Sequence, residues 1–305
     1  MGWQSFIWLL FLASLWGPSF LFIKVAVGEI PPFTLALLRV GIASILLYLI
    51  LRFQGRRLPG FGPIWRHFAV MGFFANALPF ALFSWGEIYI DSALAAILNG
   101  TTPLFTIILA HLFIADDRLT PVKAGGVMLG FGGLMLLIGP SLFEGVHATT
   151  WGLLAVAVAA ASYGVGIVYA QKNLRGLPPL VAPTAQLIMA TLYLLPLSLF
   201  FERPLSLPLP SWAAIGSLLM LATLGTALAF VIYYRVMEMT TATYLSMVTY
   251  LVPVFGLILG VAVLNEQPGW NAYAGCVLIL AGVMVVNEVF KSIRWRRPGD
   301  LAVRP

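Results

Sequence analysis

The stretch LWGPSFLFIKVAVGEIPPFTLALLR, Leu15 to Arg39, has an echo 147 residues later in SYGVGIVYAQKNLRGLPPLVAPTAQ, Ser162 to Gln186. Trp16-Gly17 aligns with Tyr163-Gly164, Lys24 with Gln171, Pro31-Pro32 with Pro178-Pro179 and Arg39 with Gln186. Farther along the offset becomes 150: Pro103 aligns with Pro253, Phe105 with Phe255, Asp116 with Glu266, Gly125 with Gly275 and Gly132 with Gly282. Isolated Gly and Pro matches carry little weight. An ordered series with one three-residue shift marks an internal duplication.

Each copy holds about five apolar segments long enough to cross a bilayer. Hydropathy and turn signals place the first five at 5–26, 33–52, 65–86, 92–114 and 121–139, and the second five at 151–172, 180–201, 212–235, 241–264 and 270–290. Pro31-Pro32, Pro59, Pro121, Pro178-Pro179, the run from Pro204 to Pro210 and Pro268 mark connections, where helices must end or begin. A hydrocarbon core takes about 20 helical residues at about 1.5 Å each. The 305 residues therefore hold ten spans and short loops, with little left for a soluble domain. Composition agrees: 61% of residues are hydrophobic and 9% charged, and the mean hydropathy is +0.97, which leaves too few polar groups for a water-facing surface. An odd number of spans per copy lays the second copy upside down, the pattern of secondary transporters whose substrates bind near the midplane where the repeats meet. The expected fold is an all-α integral membrane protein, ten transmembrane helices as two inverted five-helix repeats. Residues 1–145 form the first repeat, 146–290 the second, and 291–305 a basic cytoplasmic tail.

Fourteen of the seventeen Lys and Arg residues fall on the side shared by both termini, from Arg52, Arg56 and Arg57 in the first loop to Lys291, Arg294, Arg296 and Arg297 in the tail. Arg203 alone lies on the opposite side, and Lys24 and Arg39 fall inside spans 1 and 2. This bias puts both termini in the cytoplasm, and it accounts for the net charge of +6 without a nucleic-acid partner. The first span is read as retained rather than as a signal peptide, since it lacks a basic leader and has Trp16-Gly17-Pro18 and Lys24 where a cleavage site would stand. Cys276, the one cysteine, lies in an apolar stretch and reads as a small buried hydrophobe.

The run Leu15-Trp16-Gly17 through Lys24, Pro31-Pro32 through Arg39, then Pro103, Asp116 and the Gly-rich fifth span resembles the drug/metabolite transporter superfamily in its ten-span EamA branch. Tyr250-Leu251-Val252-Pro253 through Asn265-Glu266 to Gly275 and Gly282 resembles the second copy of that pattern. The resemblance covers nearly the whole chain. It implies a monomeric, basket-shaped carrier in the bacterial inner membrane, with a central cavity lined by spans 1, 3, 4, 6, 8 and 9, that exports amino acids or other small metabolites. The chain also looks similar to bacterial exporters of aromatic and neutral amino acids. Where family members often carry Glu after span 4, this chain has Asp116-Asp117, a conservative departure.

Cavity-facing residues can be argued from spacing. Phe73, Asn76, Phe80 and Phe83 in span 3 share one helical face, and Thr223, Thr226, Phe230 and Tyr233 repeat them at an offset of 150 in span 8. Lipid has no use for Asn76 or the threonines, so these stripes either line a substrate cavity or bond one helix to another. Asn99 and its counterpart Thr249 each precede a proline by four residues. Pro103 and Pro253 are candidate hinges whose freed carbonyls either grip an ammonium group or are satisfied by a neighbouring Thr. Trp16 and Tyr163, each beside a glycine, either clamp an apolar side chain between the halves or pack. Lys24 is expected to snorkel to the outer interface, and Arg39 to meet helix-end carbonyls or an acid such as Glu29; either could instead attract a substrate carboxylate.

Other chemistries lack their residues. Gly125, Gly126, Gly130, Gly132 and Gly133 sit in an apolar helix with no preceding strand, so they do not form a phosphate cradle, and Gly126-x-x-x-Gly130 reads as close helix packing. No cofactor or metal site is expected, Asp116-Asp117 being a solvated helix end. An intramembrane enzyme would need a nucleophile with a base, or paired acids, and none is grouped within a span. His111 lies near the cytoplasmic end of span 4 and reads as interfacial. Glu87, Asp91, Asp116, Asp117, Glu238 and Glu266 all fall at span ends or loops, which favours facilitated diffusion over proton coupling. The expected function is export of small amphipathic metabolites, neutral or aromatic amino acids first. The alternative is a carrier of drugs, sugars or nucleotide sugars, with proton coupling as an option, and an intramembrane enzyme is the remote one. The charge bias makes one prediction: a cytoplasm-dependent fluorescent reporter fused after Pro305 is expected to light up, whereas a reporter active only outside the cytoplasm, fused at the same point, is expected to stay silent.

Overall fold

The structure is a computed structural model that describes residues 3–114, 119–143, 146–174, 176–239 and 248–287, with backbone only for 3–5 and 237–239. Asp116-Asp117, the Glu238 side chain, the start of the ninth expected span (241–247) and the basic tail (291–305) lie outside the described residues. Among the described residues the chain is entirely helical. Eight helical stretches of 22 to 26 residues are long and apolar enough to cross a membrane. Two further apolar helices, Val248–Leu264 and Trp270–Val286, have 17 residues each.

Local sequence explains where the helices break. The first span is α1 (Trp3–Trp16) and α2 (Ser19–Val27), interrupted at Gly17-Pro18, because a proline within a helix has no N–H to donate and its ring clashes with the preceding turn. The second is α3 (Pro32–Phe53), opened by a proline in its first turn. The third is α4 (Ile64–Gly72) and α5 (Leu78–Gly86), joined without a break by a π-helical turn over Phe73–Ala77. The fourth parts at Gly100-Thr101 into α6 (Ser92–Asn99) and α7 (Thr102–Phe113). Then come α8 (Pro121–Phe143), α9 (Ala148–Asn173) and α10 (Val181–Leu197), the last extended by a π turn over Ser198–Glu202. The eighth stretch repeats the third: α11 (Trp212–Ala222) and α12 (Ala229–Met239) flank a π turn over Thr223–Leu228. Val248–Leu264 is α13 and Trp270–Val286 is α14. Boundaries agree with the sequence reading to a few residues, except that α8 runs through Pro140 to Phe143 instead of stopping at 139. A proline so near a helix end breaks too few hydrogen bonds to stop it.

The repeats interdigitate. The most extensive helix pairings all join residues of the first half to residues of the second: α8 with α14, α3 with α10, α9 with both α5 and α7, α6 with α13, and α2 with α11. One apolar core gathers Leu12, Phe20, Leu98, Leu104, Val156, Leu221 and Ile279, and a second gathers Leu47, Leu51, Phe68, Leu187 and Leu194. Helices α8 and α14 meet glycine to glycine. A Cβ on Gly133 would stand 2.7 Å from the Gly275 carbonyl oxygen, and one on Gly275 would stand 2.9 Å from the Gly133 oxygen. Gly126 likewise faces Gly282 and Gly130 meets Leu104, so these three glycines serve close packing, whereas Gly125 and Gly132 face open space. Cys276 is buried beside them, as the sequence implied.

This seam predicts a contrast. Gly133→Leu is expected to cost about 1–3 kcal/mol or more by forcing two backbones apart, read as a lower unfolding midpoint in detergent. Gly125→Leu, at a position with no atom within 4 Å of the added Cβ, is expected to leave the midpoint unchanged.

Candidate functional site

The π turns of the third and eighth stretches each send one side chain back to a carbonyl of the preceding helix. Asn76 Nδ2 donates to the Met71 carbonyl at 3.3 Å, and Thr226 Oγ1 donates to the Leu221 carbonyl at 2.8 Å, each reaching back five residues. Both side chains are about 1% exposed. π turns of this kind are frequent at functional sites.

Arg39 of α3 is drawn to the second of these turns. It is 6% exposed, its guanidinium carbon stands 3.9 Å from the centre of the Phe80 ring, and its Nε donates to Thr226 Oγ1 at 3.0 Å. Stacking on a ring stabilises a desolvated cation by up to about 2 kcal/mol. Among the described residues the guanidinium makes this one hydrogen bond, so its terminal NH2 groups are open to an anion. Neither Glu29 nor helix-end carbonyls hold it, contrary to the sequence expectation. The counterpart of Thr226, Asn76, has an Oδ1 that is buried without a donor.

Aromatic pairs tie the halves together around this point. Trp16 lies 5.8 Å from Tyr233 of α12, and Tyr163 of α9 lies 5.9 Å from Phe83 and 6.4 Å from Phe80. Trp16 and Tyr163 are counterparts, and so are Phe83 and Tyr233, so the two ring pairs are one contact made twice. The glycines beside them repeat the pattern: Gly17 packs on Phe255 and Gly164 on Phe105. Trp16 and Tyr163 each close on an aromatic ring of the opposite repeat.

One end of the bundle gathers the loops at 28–31, 87–91, 202–211 and 265–269, and carboxylates fasten it across the repeats. Glu202 accepts from the Phe33 and Thr34 amides at 2.8 and 2.6 Å and from Thr34 Oγ1 at 2.7 Å, at the N-terminus of α3. Glu266 accepts from the Ser92 and Ala93 amides at 2.8 and 3.0 Å, at the N-terminus of α6. Glu29 accepts from the Ser211 amide and hydroxyl, both at 2.6 Å, at the N-terminus of α11. A carboxylate at a helix N-terminus meets unpaired N–H groups and the positive end of the helix dipole. The Ser211 hydrogen bonds hold Glu29 below the usual carboxylate range; its contribution is therefore present at neutral pH and lost only as pH falls through that lowered range.

Lys24 belongs to this end too. Rather than snorkelling outward, its Nζ donates to the carbonyls of Glu87 and Ile90, both at 2.7 Å, and caps the C-terminus of α5. Glu87 itself is 0% exposed, and neither carboxyl oxygen has a hydrogen-bond partner.

The remaining expected site residues fall elsewhere. Phe73 is 40% exposed, its ring against Phe74 and Tyr193, away from Arg39. Thr223 bonds the Leu219 carbonyl of its own helix at 2.6 Å. Phe230 packs in the second core, and Thr249 lies half-buried at the start of α13. At the Pro103 break Thr101 Oγ1 donates to the Leu98 carbonyl and Thr102 Oγ1 to the Asn99 carbonyl, at 2.6 and 2.8 Å, so neighbouring threonines meet these carbonyls. Asn99 keeps a buried Oδ1 without a partner. Pro253, by contrast, sits inside an unbroken α13. His111 Nδ1 accepts from the Leu119 amide at 3.2 Å, a routine end-of-helix contact. A groove of about 310 Å³ between Phe74, Phe105 and Val158 is apolar and holds none of the expected site residues. Among the described residues no group of His, Cys, Asp or Glu could hold a metal ion.

Helical spacing singled out Asn76, Phe80 and Thr226 and hydropathy singled out Arg39, but neither signal showed the burial of Glu87 or the clamps of Glu29, Glu202 and Glu266. A lone acid at a helix end looks solvated in a hydropathy profile; only its neighbours from other spans decide otherwise.

Residues 3–139 and 150–288 each match the EamA-like transporter family. The uncharacterized transporter YoaV of Bacillus subtilis (strain 168) is 27% identical over 90% of this chain and 94% of its own length. Protein PecM of Dickeya dadantii (strain 3937) is 26% identical over 90% and 89%, and the uncharacterized inner membrane transporter YedA of Escherichia coli (strain K12) is 25% identical over 90% and 88%. A solved crystal structure overlays with a TM-score of 0.67 at 20% identity, covering 96% of this chain and 99% of that one, a likeness of fold.

The clamps predict that Glu202→Gln lowers stability by about 1–3 kcal/mol, since the amide keeps one acceptor oxygen and turns a donor toward donors. Thermal unfolding at neutral pH checks it, and an unshifted midpoint would mean that the clamp contributes nothing.

Proposed function

The chain belongs to the EamA-like transporter family, and we propose that within it this protein exports small amphipathic metabolites, neutral and aromatic amino acids first, from the bacterial cytoplasm by alternating access. Its family and relatives are transporters rather than enzymes. In this reading α13 together with residues 241–247 completes a ninth span and α14 makes the tenth, with inverted repeats, both termini cytoplasmic, and a monomer whose partners are lipid and substrate. The clamped end is then the outer face, and the structure is a state closed to the outside.

The observation that carries the substrate class is Arg39 on the Phe80 ring. A carboxylate would meet the open NH2 groups of a desolvated guanidinium, and an apolar side chain would meet the rings of Phe80, Tyr163, Trp16 and Tyr233. Phosphate-bearing cargo such as nucleotide sugars wants several cations, and Lys24 is already committed to two carbonyls. Because the closest-packed helix pairs cross between repeats, residues 1–145 and 146–290 do not rock as separate blocks; the moving parts are helix groups drawn from both, with the Gly100-Thr101 break before Pro103 and the Pro253 region as hinges. The ground for facilitated diffusion was an interior free of carboxylates. Glu87 stands at a span end as the sequence placed it, yet it is wholly buried, which removes that ground.

The test is efflux from proteoliposomes loaded in turn with phenylalanine, leucine and glutamate. Phenylalanine and leucine are expected to leave selectively. Arg39→Gln and Trp16→Ala are each expected to lower that flux about tenfold, the scale of one lost contact of 1–2 kcal/mol, and Asn76→Ala to impair it without blocking membrane insertion. Unchanged flux in both Trp16→Ala and Asn76→Ala would sink the site assignment, and absence of flux for every amino acid would transfer the reading to drugs or sugars.

A further inference from the structure

Glu87 is the one carboxyl group among the described residues that is both fully enclosed and without any hydrogen-bond partner. An isolated carboxylate buried away from water is among the costliest states a side chain can adopt, and it is relieved by a proton, by an opposite charge or by a ligand. The surroundings supply each term in part. From α2, Lys24 attracts the carboxyl but spends its hydrogen bonds on the Glu87 and Ile90 carbonyls. From α3, Arg39 attracts it without bonding to it, and on α9 Tyr163 faces that same guanidinium. From the turn after α13, Glu266 repels it, while Asp91, at the other end of its own turn, answers to the same Glu266 and Lys24. Burial outweighs these attractions and pushes Glu87, just past the end of its span, well above the usual carboxylate range.

We propose that Glu87 is a proton-binding site that couples export to the proton gradient, its carboxyl holding a proton in the outward-closed state and exchanging it for the ammonium of the substrate. The proposal rests on the amino-acid reading above and sharpens it: Glu87 and Arg39 form a dipole that matches a zwitterion, the carboxylate taking the ammonium and the guanidinium taking the substrate carboxylate. Proton and ammonium compete for the same oxygens, so one is bound only when the other has left, and no covalent bond beyond the carboxyl O–H is made or broken. The device is built into one repeat only, since the residue at an offset of 150 from Glu87 is Met237. The turn that carries Glu87 is held at both ends, by Lys24 on its carbonyls and by Glu266 on the Ser92 and Ala93 amides. Releasing Glu266 from those amides would open the turn and expose the carboxyl to the outside.

Two measurements on the full-length protein in liposomes test this. The first is infrared difference spectroscopy over a pH titration without substrate. A protonated-carboxyl band present at neutral pH in the wild type and missing in Glu87→Gln is expected; no band that depends on this residue would overturn the proton site. The second follows L-phenylalanine under an imposed pH gradient, acidic on the side to which substrate is released. One-for-one exchange sustains an about tenfold concentration ratio per pH unit in the wild type, whereas Glu87→Gln, which has lost the partner of the substrate ammonium, is expected to carry phenylalanine at a much lower rate and to build no concentration ratio from the gradient. A gradient response that survives Glu87→Gln overturns the coupling. If Glu87→Gln does not fold, Glu87→Asp serves instead, with an infrared titration midpoint displaced from that of the wild type as the expected result and an unmoved midpoint as the contrary one. If phenylalanine moves through neither protein, the substrate reading falls, while the infrared titration still decides whether Glu87 carries a proton.

Discussion

A helix that crosses hydrocarbon must satisfy every backbone polar group from within the protein, and the rest of this structure answers to that requirement. Carriers need irregular backbone where they bend, and several irregular points here have a side chain assigned to them. Asn76 and Thr226 bond carbonyls just before the π turns of spans 3 and 8, Thr101 and Thr102 bond those at the break in span 4, and Lys24 bonds those after the end of α5. At the other polarity, Glu29, Glu202 and Glu266 take the amides of three helix N-termini. The polar residues that stand out in an apolar sequence are therefore mostly backbone partners. A smaller remainder, Arg39, Glu87 and the Oδ1 atoms of Asn76 and Asn99, carries hydrogen-bonding capacity that the fold itself does not use up.

That remainder lies where the repeats cross. Pairing of α3 with α10, α9 with α5 and α7, and α8 with α14 means that neither half buries its own core alone. The consequence is a pair of aromatic contacts, Trp16 on Tyr233 and Tyr163 on Phe83, each made by one half on the other. Symmetry is broken at the charges. Arg39 has Gln186 as its counterpart and Glu87 has Met237. The two halves therefore bring different charges to the interface between them.

Much of the fold was legible before any coordinates. Span positions followed from hydropathy and prolines because a bilayer tolerates so few other backbone solutions, and the π turns of spans 3 and 8 fall on the matched stripes that spacing had picked out. The site was legible in part. Spacing singled out Phe80, Asn76 and Thr226 and hydropathy singled out Arg39, without their mutual contact, and Phe73 and Thr223, on the same stripes, turn to Tyr193 and to their own helix. Helical periodicity assumes a constant angle per residue, and a π turn resets that angle midway along the span.

The sequence by itself determined that this chain lives in a membrane, that its two halves repeat, and which few polar residues lie within reach of the interior, since composition and offset are properties of one strand of text. Only the tertiary structure decided what those residues meet: that Arg39 rests on Phe80 instead of Glu29, that Lys24 turns inward, and that Glu87, at the end of a helix, is sealed from solvent. Burial and partnership at a helix end are set by spans distant in the chain, and the pairing of α3 with α10 or of α6 with α13 leaves no local mark in either segment.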